Sequence, residues 1–168
     1  AASGSQQIEF AAKISNPQRW DVDSPRLYSL ETTITSNDKR LPNPAADLPI
    51  DRQTTSFGIR TCEFTADDGF HLNGRRVQIH GVNLHHDQGP LGAAFNKRAM
   101  QRQLEIMRDM GVNAIRTSHN PPATEMLDLC DRLGFVVWDE CFDKWNETAD
   151  RVAGKPSHEA HAERHLRS

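Results

Sequence analysis

The chain has 168 residues and a mass of 18.9 kDa, enough for one ordinary domain or pieces of two. Lys and Arg number 20 against 23 Asp and Glu, a net charge of −3; no basic excess exists to attract a phosphate backbone, so nucleic acid is not an expected partner. Mean hydropathy is −0.69, and no apolar run approaches the ~18 residues of a membrane span, so no membrane partner is expected either.

Residues 1–66 read as short strands broken by turns. Gln6 to Ala12 predicts a loose strand, followed by a turn at Asn16-Pro17. Arg26 to Thr35 predicts the clearest strand: Tyr28, Leu30, Thr32 and Ile34 make its more apolar face. Ser36 to Asp51, with three prolines, reads as a loop or irregular edge, and Thr54 to Phe64 as a further strand. Only about three strands are legible, against the ~7 of a complete sandwich. The reading is the C-terminal part of an all-β sandwich.

From residue 70 the period changes. Asn73-Gly74 predicts a tight hairpin turn, and Val77 to Asn83 a short strand. Asn96 predicts the N-cap of a helix to about Met110, with Met100, Leu104 and Met107 on its buried side and Gly111 as its stop. Val112 to Arg116 is the next strand. Asn120-Pro121 predicts the start of a second helix, with Met126, Cys130 and Leu133 inward and Gly134 as the stop. Phe135 to Asp139 is a third strand. This β-α-β-α-β order requires parallel strands with crossover helices, as at the start of a doubly wound sheet or of a (β/α)₈ barrel. The first strand-to-helix connection, Asn83 to Phe95, contains neither GxGxxG nor GxxxxGK[ST], which argues against a nucleotide fold. Cys62, Cys130 and Cys141 form no CxxC pair and predict free, buried thiols.

Polar side chains gather where each strand meets its following loop. The first strand ends in Asn83-Leu84-His85-His86-Asp87, the second in Arg116-Thr117-Ser118-His119-Asn120, and the third in Asp139-Glu140, with Asp143 and Trp145 beyond. In a parallel barrel those ends share one face, where the active site lies. Packing gives no reason for the pattern. Arg116 would enter the mouth and orient a carboxylate, or form an ion pair with Asp139 or Glu140. Trp145 would stack on a sugar ring or cover the barrel edge. A metal centre built from His85, His86, His119 and Asp139 is disfavoured, because adjacent histidines on a strand point apart.

The ordered series Phe57-Gly58-Ile59-Arg60, Phe70 to Gly74, Gly81 to Asp87, Asn113 to Pro122 and Asp128 to Glu140 resembles glycoside hydrolase family 2 over roughly residues 18–146. The likeness is greatest to bacterial β-galactosidases; β-glucuronidases and β-mannosidases share much of the pattern. The resemblance implies a partial immunoglobulin-like sandwich over residues 1–66, followed over residues 67–168 by the first three β/α units of a (β/α)₈ TIM barrel. It implies a retaining glycosidase acting on terminal β-D-galactosides, with two glutamates flanking the scissile bond about 5 Å apart. By position, His85 and Asp87 match a strand-one segment lining the sugar subsite, His119 matches a strand-two histidine contacting the sugar, Arg116 matches the arginine that hydrogen-bonds the nucleophile, and Asp139 and Glu140 match the strand-three end near the site; Glu140 and Trp145 join the expected substrate-binding residues. No obligatory cofactor is implied, although some members bind Mg²⁺ or Na⁺ near the site, and the parent is expected to be a homo-oligomer. The acid/base is expected at the end of barrel strand four and the nucleophile on strand seven, beyond the three strands present. Asn146-Glu147 mimics the acid/base dipeptide but follows strand three without a helix or strand of its own. The expectation is therefore a truncated chain that is inactive by itself, at most a sugar-binding piece, and prone to aggregate through open sheet edges.

Overall fold

The computed structural model of the protein describes residues 4–36 and 48–140. A hairpin pairs β1 (Tyr28–Ser36) with β2 (Leu48–Phe57) antiparallel. A small antiparallel sheet joins β3 (Cys62–Thr65), β4 (Gly69–Leu72) and β5 (Arg75–Arg76). A parallel sheet orders β6 (Gly81–His85), β7 (Ala114–Ser118) and β8 (Val136–Trp138), with α1 (Lys97–Asp109) and α2 (Thr124–Leu133) as the crossovers.

Several local signals act as expected. The Asn96 side chain accepts from the Ala99 amide at 3.0 Å and starts α1. Met100 and Leu104 are buried on its inner face. Asn73 and Gly74 both take positive φ, 56° and 80°, and turn β4 into β5. Gly134 ends α2 in the left-handed region. A Cβ on Gly134 would run into the Val22 carbonyl oxygen, and 2.9 Å away it would meet the Arg108 guanidinium. Gly134→Ala is therefore expected to destabilise the chain by more than the ~1 kcal/mol of the left-handed conformation alone. A lowered urea midpoint would register it; an unchanged midpoint would mean that Val22 does not pack there.

Other expectations are corrected. Gln6 to Ala12 forms no strand, because nothing pairs with it among the described residues. Leu30 and Ile34, on the more apolar face of β1, are exposed, since among the described residues the two-stranded ribbon has no second layer over it. The strand expected over Thr54 to Phe64 is two strands, broken after Phe57 where Gly58 lies against the Trp20 side chain. β6 begins at Gly81, later than Val77, because the Asn113 side chain takes the backbone of the preceding residues, donating to Gln78 O and accepting from His80 N. α2 begins at Thr124, not at Asn120-Pro121, and Ala123 caps it without a side-chain bond. Pro122 disfavours a helical conformation for Pro121, so the helix waits until both prolines are passed. Cys62 is exposed, not buried, whereas Cys130 is buried and burial pushes its thiol up to about 12. Cys141 lies outside the described residues.

The two faces of the parallel sheet differ. Val82 and Leu84 of β6, Ile115 of β7 and Val137 of β8 pack on the core of α1 and α2, around Leu104, Met126, Leu129 and Phe135. The register sets Asn83, Arg116 and Trp138 side by side on the opposite face, with His85 next to Ser118 one step on. That face lines an open trough of about 650 Å³, walled also by Phe64, Phe70 and Ile79. No helix among the described residues is long and apolar enough to cross a membrane.

Candidate active site

The three parallel strands bring His85, Arg116, His119 and Glu140 to one end of the sheet. Arg116 is the hub. Its Nε donates to Glu140 Oε1 at 2.8 Å, and a terminal nitrogen reaches the same oxygen at 2.6 Å. The other terminal nitrogen donates to Asn83 Oδ1 at 3.1 Å and to Ser118 Oγ at 3.2 Å. Of the ion-pair alternatives raised by the sequence, Glu140 is the partner. Asp139 instead accepts from Thr117 Oγ1 at 3.2 Å, on the helix side of the sheet.

His119 Nδ1 lies 2.9 Å from Glu140 Oε2. A carboxylate only accepts, so Nδ1 carries the proton and donates it there. The Arg116 nitrogen 3.4 Å from that Nδ1 then finds no lone pair and keeps a donor free. Because Nδ1 is committed to Glu140, His119 Nε2 is the ring nitrogen left for a ligand. His85 sits edge-on to His119, with ring centroids 5.5 Å apart. His86 lines a crevice of about 20 Å³ with His85, Ser118 and Asn120, room for about one water.

Partial burial pushes the Glu140 carboxyl up. Hydrogen bonds from His119 and Arg116, and the positive charge of Arg116, outweigh it, so the group titrates below the ordinary glutamate range. With its folded value below its unfolded one, Glu140 stabilises the fold above the unfolded-state value. That contribution is lost as pH falls through the lower, folded value. In a ¹³C carboxylate titration the Glu140 midpoint should fall below that of an exposed glutamate, and Arg116→Gln should raise it. A wild-type midpoint at or above the ordinary value would contradict the pairing.

Asp87 does not join the cluster: its Oδ1 accepts from the Gly89 amide at 2.7 Å, which turns the chain into a short 3₁₀ helix, Gly89–Leu91. Trp145, together with Asp143, Asn146 and Glu147, lies outside the described residues. Among the described residues no group of three His, Cys, Asp or Glu has the arrangement to hold a metal ion. Sequence reasoning set Asn83, Thr117 and Ser118 among the polar strand ends but gave them no role. Parity along the strands could have found Asn83 and Ser118, two residues before His85 and two after Arg116; Thr117 gave no signal.

The family profile described as "Glycosyl hydrolases family 2, TIM barrel domain" matches residues 65–164, and that described as "Glycosyl hydrolases family 2" matches residues 1–60. The chain belongs to glycoside hydrolase family 2. The family's β-galactosidase BoGH2A of Bacteroides ovatus is 48% identical over 148 residues, which cover 87% of this chain and 16% of that protein. A crystal structure of a family 2 member from Bacteroides cellulosilyticus aligns with a TM-score of 0.68 at 42% identity, over 77% of this chain and 16% of that one. The Bacteroides uniformis β-glucuronidase aligns with a TM-score of 0.78 at 31% identity, over 94% of this chain and 17% of that one. The chain thus spans about a sixth of the length of the relatives it matches.

Proposed function

We propose that residues 1–66 are the end of a sandwich domain and residues 67–168 the first three β/α units of a (β/α)₈ barrel, in a retaining glycosidase that hydrolyses terminal β-D-galactosides. The observation that carries the reading is the Arg116–Glu140–His119 constellation at one end of a parallel sheet. Its parts act by position. Arg116, held by Glu140, Asn83 and Ser118, points its remaining N–H at an incoming carboxylate and orients it as nucleophile. His119 Nε2 and His85 contact sugar hydroxyls. Protonation of the leaving group and attack on the anomeric carbon belong to two further glutamates.

A galactoside is favoured over a glucuronide because BoGH2A shares 48% identity with this chain. The glucuronide reading rests on the TM-score of 0.78 to the B. uniformis enzyme. Grafting this segment in place of the matching one in each of those two enzymes separates the readings. The BoGH2A chimera should keep turnover of a chromogenic β-galactoside, while the glucuronidase chimera should lose turnover of the β-glucuronide. The reverse pattern would overturn the galactoside assignment, and two folded but inactive chimeras would overturn the glycosidase reading.

A further inference from the structure

We propose that Thr117 is a positioning residue: its buried hydroxyl fixes where the chain leaves β8, and so holds Glu140 against Arg116 and His119. The β7–β8 ladder ends at the Arg116–Trp138 pair. Glu140, two residues on, has no strand partner for its amide among the described residues. Thr117 Oγ1 accepts that N–H at 2.9 Å and continues the ladder through a side chain. A hydroxyl has one proton to give. It goes to Asp139 Oδ1 at 3.2 Å, because the Trp138 carbonyl stands at 3.5 Å and a carboxylate is the stronger acceptor.

Thr117 is 3% exposed, so water does not replace the hydroxyl. Its branched Cβ restricts χ1 and fixes where Oγ1 points. It lies on the helix side of β7, opposite Arg116, and its hydroxyl bonds reach Glu140 N and Asp139, not the side chains of Arg116 or His119. Its effect on them passes through the backbone alone. With the Glu140 amide pinned, the side chain emerges on the trough face, one oxygen on Arg116 and the other on His119. Any consequence for turnover rests on the glycosidase reading; the positioning itself does not.

The test uses this chain and needs no substrate. In the unmodified protein the Glu140 amide should be protected from hydrogen exchange to the level of the β7 amides, although it lies past the ladder. Thr117→Val keeps the shape and removes the hydroxyl. It should raise exchange at Glu140 about tenfold, the equivalent of one hydrogen bond, and convert His119 from a single Nδ1–H tautomer to a mixture in two-bond ¹H–¹⁵N spectra. Thr117→Ser should restore both readouts, which a general loss of stability would not. Unprotected exchange at Glu140 in the unmodified chain overturns the proposal even if the valine variant fails to fold. So does an unchanged His119 pattern in a folded valine variant. An active BoGH2A chimera with an unprotected Glu140 would sink the positioning role alone. A protected Glu140 with inactive chimeras would sink the glycosidase reading alone.

Discussion

Trp20→Ala should cost this chain about 3–5 kcal/mol, a large share of the ~5–15 kcal/mol that holds a domain folded. Trp20 is 1% exposed and packs with Val22, Phe70, Leu72 and Val77. Its indole N–H donates to Asp131 O at 2.7 Å, tying the N-terminal segment to α2 across 111 residues. Its amide donates to Ile59 O, and its carbonyl accepts from the Asn73 side chain, both at 2.9 Å. The Arg60 guanidinium lies 4.6 Å above the ring centroid. Alanine removes the ring, leaves a cavity and deprives the Asp131 carbonyl of its donor. Trp20→Phe separates those terms: it fills most of the space but leaves the carbonyl unpaired, at about 1–3 kcal/mol. Urea denaturation followed by circular dichroism reads both. An alanine variant with the wild-type midpoint would show that Trp20 does not clamp the two regions.

Arg116→Gln should have the largest effect on activity. In the BoGH2A chimera it should lower kcat about 10²-fold, the loss expected when a reacting group is displaced by about 1 Å. KM should change less, because the guanidinium orients the nucleophile more than it binds the sugar. Lysine should not rescue it, since Arg116 donates to Glu140, Asn83 and Ser118 through a planar fork that an ammonium cannot reproduce. Circular dichroism would exclude unfolding as the cause. A folded chimera that keeps most of its kcat would remove Arg116 from the mechanism. Its ion pair with Glu140 would then be a structural contact alone.

What the sequence determined by itself was local or periodic. Asn96, Gly134 and Asn73-Gly74 act through their own side chains or their own φ angles, so each turn or cap could be read from one or two residues. The alternation of short apolar runs with stripes at helical spacing was enough to establish parallel strands with crossover helices. It also placed His85, Arg116, His119 and Glu140 at the same strand ends.

Tertiary structure decided what depends on partners far along the chain. Arg116 meets Asn83 across 33 residues and Glu140 across 24, and only the register of β6, β7 and β8 sets which of them it reaches. A shift of one residue would send Arg116 to the helix face. The late start of β6, the break between β2 and β3 and the exposed face of β1 have the same origin. Each turns on whether another segment is there to pair with the backbone or to cover the side chains. Local sequence sets what a segment can do; the neighbours that supply its hydrogen bonds and exclude its water set what it does.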